Sequence, residues 1–170
     1  SLLGERGEAR EQASRLIEGA RLPIGLERSL EYRRRAASIF AKELGDRSSA
    51  IDLYRDILRD APEDAESFRA LGELLEEEGR FPELLDLRKR EIALTEDRDR
   101  RIELRLDLAR LVDRIEREGG RIEALRANLV DAPGHMASIE ALDDVLRRYG
   151  RFEELADLLS EQAASLSGSD

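Results

Sequence analysis

The chain carries an internal repeat that restricts its fold more than any other feature does. When the sequence is shifted by 71 positions, residues 50–87 align with residues 121–158 without a gap. The turn Asp60-Ala61-Pro62 falls on Asp131-Ala132-Pro133, and Gly79-Arg80-Phe81 falls on Gly150-Arg151-Phe152. A shared helical period alone would not align a proline and a glycine turn, so the chain contains two copies of one structural unit.

The apolar residues predict helices along nearly the whole chain. Phe68, Leu71, Leu74 and Leu75 recur every three or four residues, which is typical of one buried helical face. No stretch alternates with a period of two, so strands are not expected. The fold class is therefore all-α. About nine helices are predicted, at residues 8–20, 25–44, 47–59, 63–78, 81–94, 98–118, 121–130, 136–149 and 152–166.

Glycines and prolines divide these helices into pairs. Gly45, Gly79, Gly119 and Gly150 each follow an apolar stripe, as glycines at helix C-termini do. The spacing from Gly45 to Gly79 is 34 residues, about half of the 71-residue repeat. The repeated unit is therefore a two-helix hairpin or a pair of such hairpins. A single hairpin cannot bury its apolar face, so neighbouring hairpins are expected to stack.

The composition excludes several other classes of protein. The chain has no Cys, which excludes disulfide scaffolds and thiolate zinc sites, and its net charge of −10 disfavours nucleic-acid binding. No apolar run is long enough to span a membrane. The lack of a Met at Ser1 indicates an excised segment, and no signal peptide is visible, so a cytoplasmic location is expected. Arg supplies 27 of the 29 basic residues, which indicates a bacterial, high-GC genome.

The hairpins resemble the tetratricopeptide repeat (TPR) family. Phe68-x2-Leu71-Gly72-x2-Leu75 is similar to the signature of the family's first helix, and Ala50-x3-Tyr54 followed by Pro62 is similar to that of its second. The resemblance covers residues 27–166 and implies a right-handed superhelix of antiparallel helical hairpins. It divides residues 1–166, as a single array, into a first helix or cap (1–24), four hairpins (25–62, 63–96, 97–133, 134–166) and a polar tail (167–170).

The resemblance also implies a binding groove lined by the first helix of each hairpin. The corresponding positions form a set of charged residues, acidic in the second hairpin and basic in the third, which would bind a peptide or partner helix of complementary charge. The competing interpretation is that they are only solvated helix faces. The candidate groove residues are Glu66, Arg69, Glu73, Glu76, Asp107, Arg110, Arg114, Arg117, Glu140, Asp144 and Arg147.

No residue pattern predicts catalysis, a cofactor or a metal ion. His135 is the only His, and it lies in a turn without a nucleophile or second ligand near it in the sequence. The aromatic residues mostly fall on apolar stripes. Phe81 and Phe152 follow glycine turns, and both are expected to wedge between neighbouring hairpins.

The sequence therefore predicts a non-enzymatic protein–protein interaction or scaffold module that binds a peptide or partner helix. The alternative is a structural assembly segment of a larger repeat protein, which stacks on further repeats or self-associates and has no groove ligand. Exposed apolar surface confined to the first or last helix would favour that alternative, whereas a matched charge pattern in the groove would favour binding.

Overall fold

A computed structural model describes residues 2–115 and 120–167, and these residues form helices and turns with no strand. In this part of the chain nine helices follow one another, close to the predicted positions. They are α1 (Leu2–Ala20), α2 (Leu26–Ile39, continued by a π-helical turn, Phe40–Leu44), α3 (Arg47–Asp60), α4 (Ala65–Glu77), α5 (Phe81–Leu94), α6 (Arg98–Ile115), α7 (Gly120–Asp131), α8 (Met136–Arg148) and α9 (Phe152–Ser167).

The prediction is wrong at the start of α1, which begins at Leu2 and not near residue 8. Gly4 and Gly7 lower the helix propensity of this first stretch, so propensity alone does not predict it. Packing stabilises α1 instead. Ala9 and Ala13 are buried in a cluster with Ala36 of α2, and small side chains allow two helices to approach closely.

The helix-ending glycines are confirmed where the structure describes them. Gly45, Gly79 and Gly150 have φ angles of 67°, 67° and 68°, a left-handed conformation that costs glycine little. After α4, the Arg80 N–H donates to Leu75 O at 2.8 Å. After α8, the Arg151 N–H donates to Leu146 O, also at 2.8 Å. These bonds close the last helical turn. Gly119 lies outside the described residues.

The chain divides into two compact units, Ser1–Leu87 and Arg88–Asp170. In the first unit, α1 packs on α2, α2 on α3, and α3 on α4. In the second unit, α6 packs on α7, α7 on α8, and α8 on α9. The core of the second unit is aliphatic and includes Leu125, Leu142 and Leu146, all of which are fully buried. The predicted single array over residues 1–166 stays a prediction, as do the hairpin limits.

The wedge predicted for the two phenylalanines stays a prediction at Phe81 and is not found at Phe152. Phe81 is half-buried at the start of α5. Phe152 occupies the equivalent position of α9, but its side chain is 61% exposed. The prediction is therefore wrong for Phe152, because the described residues provide no neighbour that covers this side of α9.

Candidate functional site

The first unit contains a cleft of about 500 Å³ between α2 and α4. The lining residues of α2 and of α4 recur every three or four positions, so one face of each helix borders the cleft. The buried ring of Tyr54, from α3, lies between the walls. The cleft is lined by Glu31, Arg34, Arg35, Ser38, Ala41 and Lys42 on the α2 side, by Arg47 and Tyr54 of α3, and by Glu66, Arg69, Ala70, Glu73, Leu74 and Glu77 of α4.

Ion pairs connect the elements at both ends of the cleft. At one end, Arg34 Nη1 donates to Asp64 at 3.0 Å, and its Nε lies 3.5 Å from Glu66. At the other end, Arg47 Nε donates to Glu77 at 3.2 Å. Arg34 and Asp64 are only 22% and 14% exposed at their side chains, so solvent screens this pair less than an ordinary surface pair. The first connection joins the α2 wall to the α4 wall, and the second joins α3 to the α4 wall.

Between these ion pairs, two cations have no partner of their own. Among the described residues, neither Arg35 nor Lys42 forms an ion pair, and both are exposed on the α2 wall. On the opposite wall, Arg69 lies 3.4 Å from Glu73 of the same helix, so these two charges largely compensate each other. Glu31, on the same wall as Arg35 and Lys42, is also unpaired in the described part of the chain. These three side chains are therefore the charges that remain available to a ligand, and their sum is positive.

Burial also affects the pKa of Tyr54, which lies at the bottom of the cleft. Tyr54 is 7% exposed, and this burial raises the pKa of its phenol, an effect to which the Glu66 carboxylate adds. The residue therefore remains a neutral hydroxyl at physiological pH, able to donate and to accept one hydrogen bond. Beside the charged walls it offers a fixed polar group that an extended peptide backbone could contact.

The structure brings three of the predicted groove residues together at this cleft. Glu66, Arg69 and Glu73 line it, whereas Glu76 lies on α4 outside its lining. The α2 wall was not predicted, because α2 lacks the Leu-Gly signature from which the groove positions were transferred. The α4 wall is acidic, with three carboxylates and one arginine, and the α2 and α3 residues add the further cations. Five cationic and four carboxylate side chains line the cleft.

In the second unit, the predicted residues form ion pairs mostly within single helices, and Asp144 also lies 3.8 Å from Arg121 of α7. Arg110 pairs with Asp107 on α6 at 2.9 Å. On α8, Arg147 donates to Asp143 at 2.8 Å, and Arg148 donates to Asp144 at 2.7 Å. Glu140 is exposed on the same helix. Arg114 lies in α6, and Arg117 lies outside the described residues.

A separate polar cluster lies inside the second unit. Asn128 is fully buried, and its Nδ2 donates to Ile102 O at 3.2 Å and to Ser138 Oγ at 3.0 Å. Ser138 Oγ is in turn hydrogen-bonded to Nδ1 of His135 at 2.9 Å. The lone His therefore takes part in a structural network at the start of α8. Sequence reasoning did not identify Asn128, since only the fold shows that it is buried.

Metal and membrane sites were also sought in the described residues. No group of three or more His, Asp or Glu side chains there is arranged to hold a metal ion. None of the helices between residues 2–115 and 120–167 combines the length and the apolar character that a membrane span requires.

The paired helices and the cleft between first helices define the class of protein: an all-α, TPR-like repeat protein. Residues 67–102 match the model of the family described as Tetratricopeptide repeat, which confirms the resemblance seen in the sequence. No curated protein sequence matches the chain. The TPR-like fold is that of protein interaction and scaffold modules.

Solved structures of MamA share this fold. A crystal structure of MamA superposes with a TM-score of 0.54 at 16% identity, covering 81% of this chain and 78% of that one. MamA from AMB-1 superposes with a TM-score of 0.53 at 17% identity, covering 99% of this chain and 93% of that one. MamA from MSR-1 superposes with a TM-score of 0.50 at 16% identity, covering 99% of this chain and 98% of that one. At these identities the similarity concerns the fold alone.

Proposed function

We propose that the protein is a non-enzymatic interaction module whose α2–α4 cleft binds a peptide segment of a partner protein. The partner segment is expected to carry at least one acidic side chain. The observation that supports this most directly is the pair of uncompensated cations, Arg35 and Lys42, on one wall of the cleft. An acidic peptide would pair with them without displacing the ion pairs that connect the walls.

The charge balance of the cleft supports an acidic rather than a basic ligand. The whole chain has ten more acidic than basic residues, yet the cleft lining has one more cation than it has carboxylates. Three of its four carboxylates, those of Glu66, Glu73 and Glu77, already pair with arginines. Complementary charge contributes to orientation and association rate even where it adds little affinity. Nucleic acid is not proposed as the ligand, because the chain as a whole has a net charge of −10.

Binding of an array of ten-residue fluorescent peptides of varied charge, measured by anisotropy, tests this proposal. Acidic peptides should bind more tightly than neutral or basic ones. The double variant Arg35→Glu/Lys42→Glu should lose about tenfold or more in affinity, which corresponds to about 1.4 kcal/mol. Arg28→Glu/Lys89→Glu is the matched control, because it makes the same charge change at exposed residues outside the cleft. Equal affinities of the two double variants for acidic peptides would refute the proposal.

A different observation bears on the assembly alternative: α9 carries an exposed apolar strip, formed by Phe152, Leu159 and Leu166. Exposed apolar side chains are not confined to this last helix, since Leu26, Val130 and Met136 are exposed as well. The strip lies in the second unit, whereas the α2–α4 cleft belongs to the first. A module can therefore use both surfaces, and the two functions require separate tests. The cleft carries the charge pattern expected of a binding site, and the α9 strip carries the exposed apolar surface expected of a packing site.

A further inference from the structure

A second, smaller pocket adjoins the α2–α4 cleft in the first unit. It has a volume of about 360 Å³ and lies between α2 and the turn that joins α3 to α4. Arg34, whose guanidinium pairs with Asp64 at 3.0 Å, lines both the cleft and this pocket. The two cavities therefore meet at this ion pair, and a ligand that leaves the cleft past Arg34 enters the pocket.

The charge that is free in this pocket is negative. Glu27 and Glu63 line it, both are exposed, and neither forms an ion pair among the described residues. The carboxylate of Asp64 also lines the pocket, but Arg34 compensates it. In the cleft, by contrast, the charges that remain available sum to a positive value. Two adjoining cavities of one unit thus have opposite free charge.

Apolar side chains form much of the remaining lining of the pocket. Leu30 of α2 is buried there, and Ala61 and Pro62 of the turn line the pocket with it. The aliphatic stem of a long basic side chain can pack on such a surface while its charged end reaches the exposed carboxylates. The pocket is therefore better suited to a long basic side chain than to a small hydrated cation.

The second copy of the repeat shows which side chain meets the equivalent turn. Seventy-one residues later, Arg101 corresponds to Leu30. Its Nε lies 3.5 Å from Asp131, at the start of the equivalent Asp-Ala-Pro turn. Its Nη1 donates to the carbonyl oxygens of Thr95 at 3.0 Å and of Glu96 at 2.8 Å. In this copy the chain itself supplies an arginine from the position that Leu30 occupies in the first.

The free carboxylates of the pocket belong to the first copy alone. Arg98 and Gly134 occupy the positions of Glu27 and Glu63 in the second copy. Arg33 pairs with Asp60 at 2.6 Å in the first copy, but neither of them lines the pocket. The second copy thus has an arginine and lacks these acceptors, whereas the first copy has the acceptors and no arginine of its own to fill the pocket.

We propose that the pocket binds an arginine side chain of the same peptide segment whose acidic part occupies the cleft, an inference that rests on the proposed function. A guanidinium suits the site because its planar set of donors matches carboxylates. Glu27 precedes Arg35 by eight residues, which is about 12 Å along α2. An extended chain covers that distance in about four residues. The partner segment therefore carries an arginine about four residues from an acidic side chain.

Two pairs of fluorescent ten-residue peptides test the proposal by anisotropy. In each pair one peptide carries a glutamate and an arginine four residues apart, and the other carries glutamine in place of the arginine. The pairs differ in the order of the two charged residues along the peptide. In one order the arginine peptide should bind at least about threefold more tightly than its glutamine counterpart, as expected for partly exposed charge pairs. Equal affinities within both pairs would overturn the proposal.

Variants of the pocket separate this contact from general attraction to an acidic protein. Glu27→Gln/Glu63→Gln should abolish the preference for arginine, and it should bind the glutamine peptides no more weakly than the wild-type protein does. Glu8→Gln/Glu123→Gln is the matched control, because it makes the same charge change at exposed residues outside both cavities. It should retain the preference. Circular dichroism checks that both variants remain helical, as substitutions at exposed positions should allow.

Two further outcomes would overturn the proposal: an arginine preference that the pocket variant retains, and one that the control variant loses equally. The cleft variant Arg35→Glu/Lys42→Glu distinguishes failure of this inference from failure of the cleft proposal. It should weaken binding of all four peptides, and equal affinity of the wild-type protein and this variant would refute the cleft proposal. A loss in the cleft variant, without any arginine preference in the wild-type protein, would refute the pocket contact alone.

Discussion

The two copies of the repeat, residues 50–87 and 121–158, share one cluster of ion pairs. In the first copy, Arg80 donates to Glu83 through Nε at 2.6 Å and through Nη2 at 2.8 Å, and Arg55 pairs with the same carboxylate. The cluster connects the start of α5 to α3. In the second copy the equivalent cluster joins Glu154, Arg151 and Arg126.

The copies differ at the turn before their next hairpin. In the first copy, Asp64 accepts a hydrogen bond from Ser67 Oγ at 2.6 Å and also pairs with Arg34. In the second copy, His135 replaces Asp64, and the equivalent of Arg34, which is Arg105, pairs with Asp131 instead.

Burial explains why the second copy needs a different arrangement. Ser67 and Ser138 are equivalent and both fully buried, so each requires a hydrogen-bond partner. In the first copy a carboxylate supplies it. In the second copy the imidazole of His135 and the amide of Asn128 supply it together. The comparison shows that the buried apolar residues and the turns are common to both copies of the repeat, whereas the polar contacts differ between them.

Replacement of Asn128 is the strongest test of this difference. Asn128→Ala should destabilise the fold by about 1–3 kcal/mol, because it leaves a void and removes a buried partner of Ser138. Asn128→Leu should cost much less or be stabilising. The first copy has the apolar Ile57 at this position, and Asn128 Oδ1 has no hydrogen-bond partner to lose. Urea denaturation measures both changes, and a larger loss for Leu than for Ala would contradict the comparison.

Gly134 marks a second difference, since Glu63 is its equivalent in the first copy. Its φ of 77° is left-handed, and a Cβ added there would lie 2.8 Å from Leu166 Cδ2 of α9. Gly134→Ala should therefore destabilise the fold by about 1–2 kcal/mol, mainly through backbone strain. Glu63→Ala is the control and should be nearly neutral. Thermal unfolding compares the two, and equal shifts in Tm would contradict the role of Gly134.

The comparison also explains what the sequence could predict. The Asp-Ala-Pro and Gly-Arg-Phe turns and the spacing of Leu71 and Leu142 depend on local sequence, and the helices they delimit were predicted to within a few residues. The polar contacts were not predicted, because they depend on side-chain directions across helices. Identical serines at 67 and 138 have different partners, which no pattern in the sequence indicates.

The candidate site was predicted only in part for a similar reason. The lining positions on α4 were predicted from the Phe68-x2-Leu71-Gly72 signature, because it determines which face of the helix Arg69 and Glu73 occupy. The α2 wall carries Arg35 and Lys42 but no signature, so its contribution appears only when α2 is seen to border α4. The bare strip on α9 was missed because Phe152 is equivalent to Phe81, and the two differ only in what lies beside them.

The shared ion-pair cluster is the subject of the last prediction, which has the smallest expected effect. The hydrogen bond from Arg80, with the charges of Arg80 and Arg55, lowers the pKa of Glu83 below its ordinary value of 4.5. A lowered pKa stabilises the folded state above the ordinary value, and this stabilisation is lost as the pH falls through the folded-state pKa. Glu83→Gln should therefore reduce stability at about pH 7 by less than about 1 kcal/mol, since the pair is partly exposed.

The difference in stability between the wild-type protein and Glu83→Gln should shrink towards zero at about pH 3. At that pH the wild-type carboxylate is increasingly protonated and resembles the amide. Urea denaturation at both pH values measures it. Glu154→Gln should also reduce stability at about pH 7, because it removes the equivalent ion pairs with Arg151 and Arg126. Glu123→Gln is the control, because Glu123 is exposed and has no ion pair among the described residues. A cost of Glu83→Gln that did not change with pH would show that the contact is not electrostatic, and the feature common to both copies would then be packing alone.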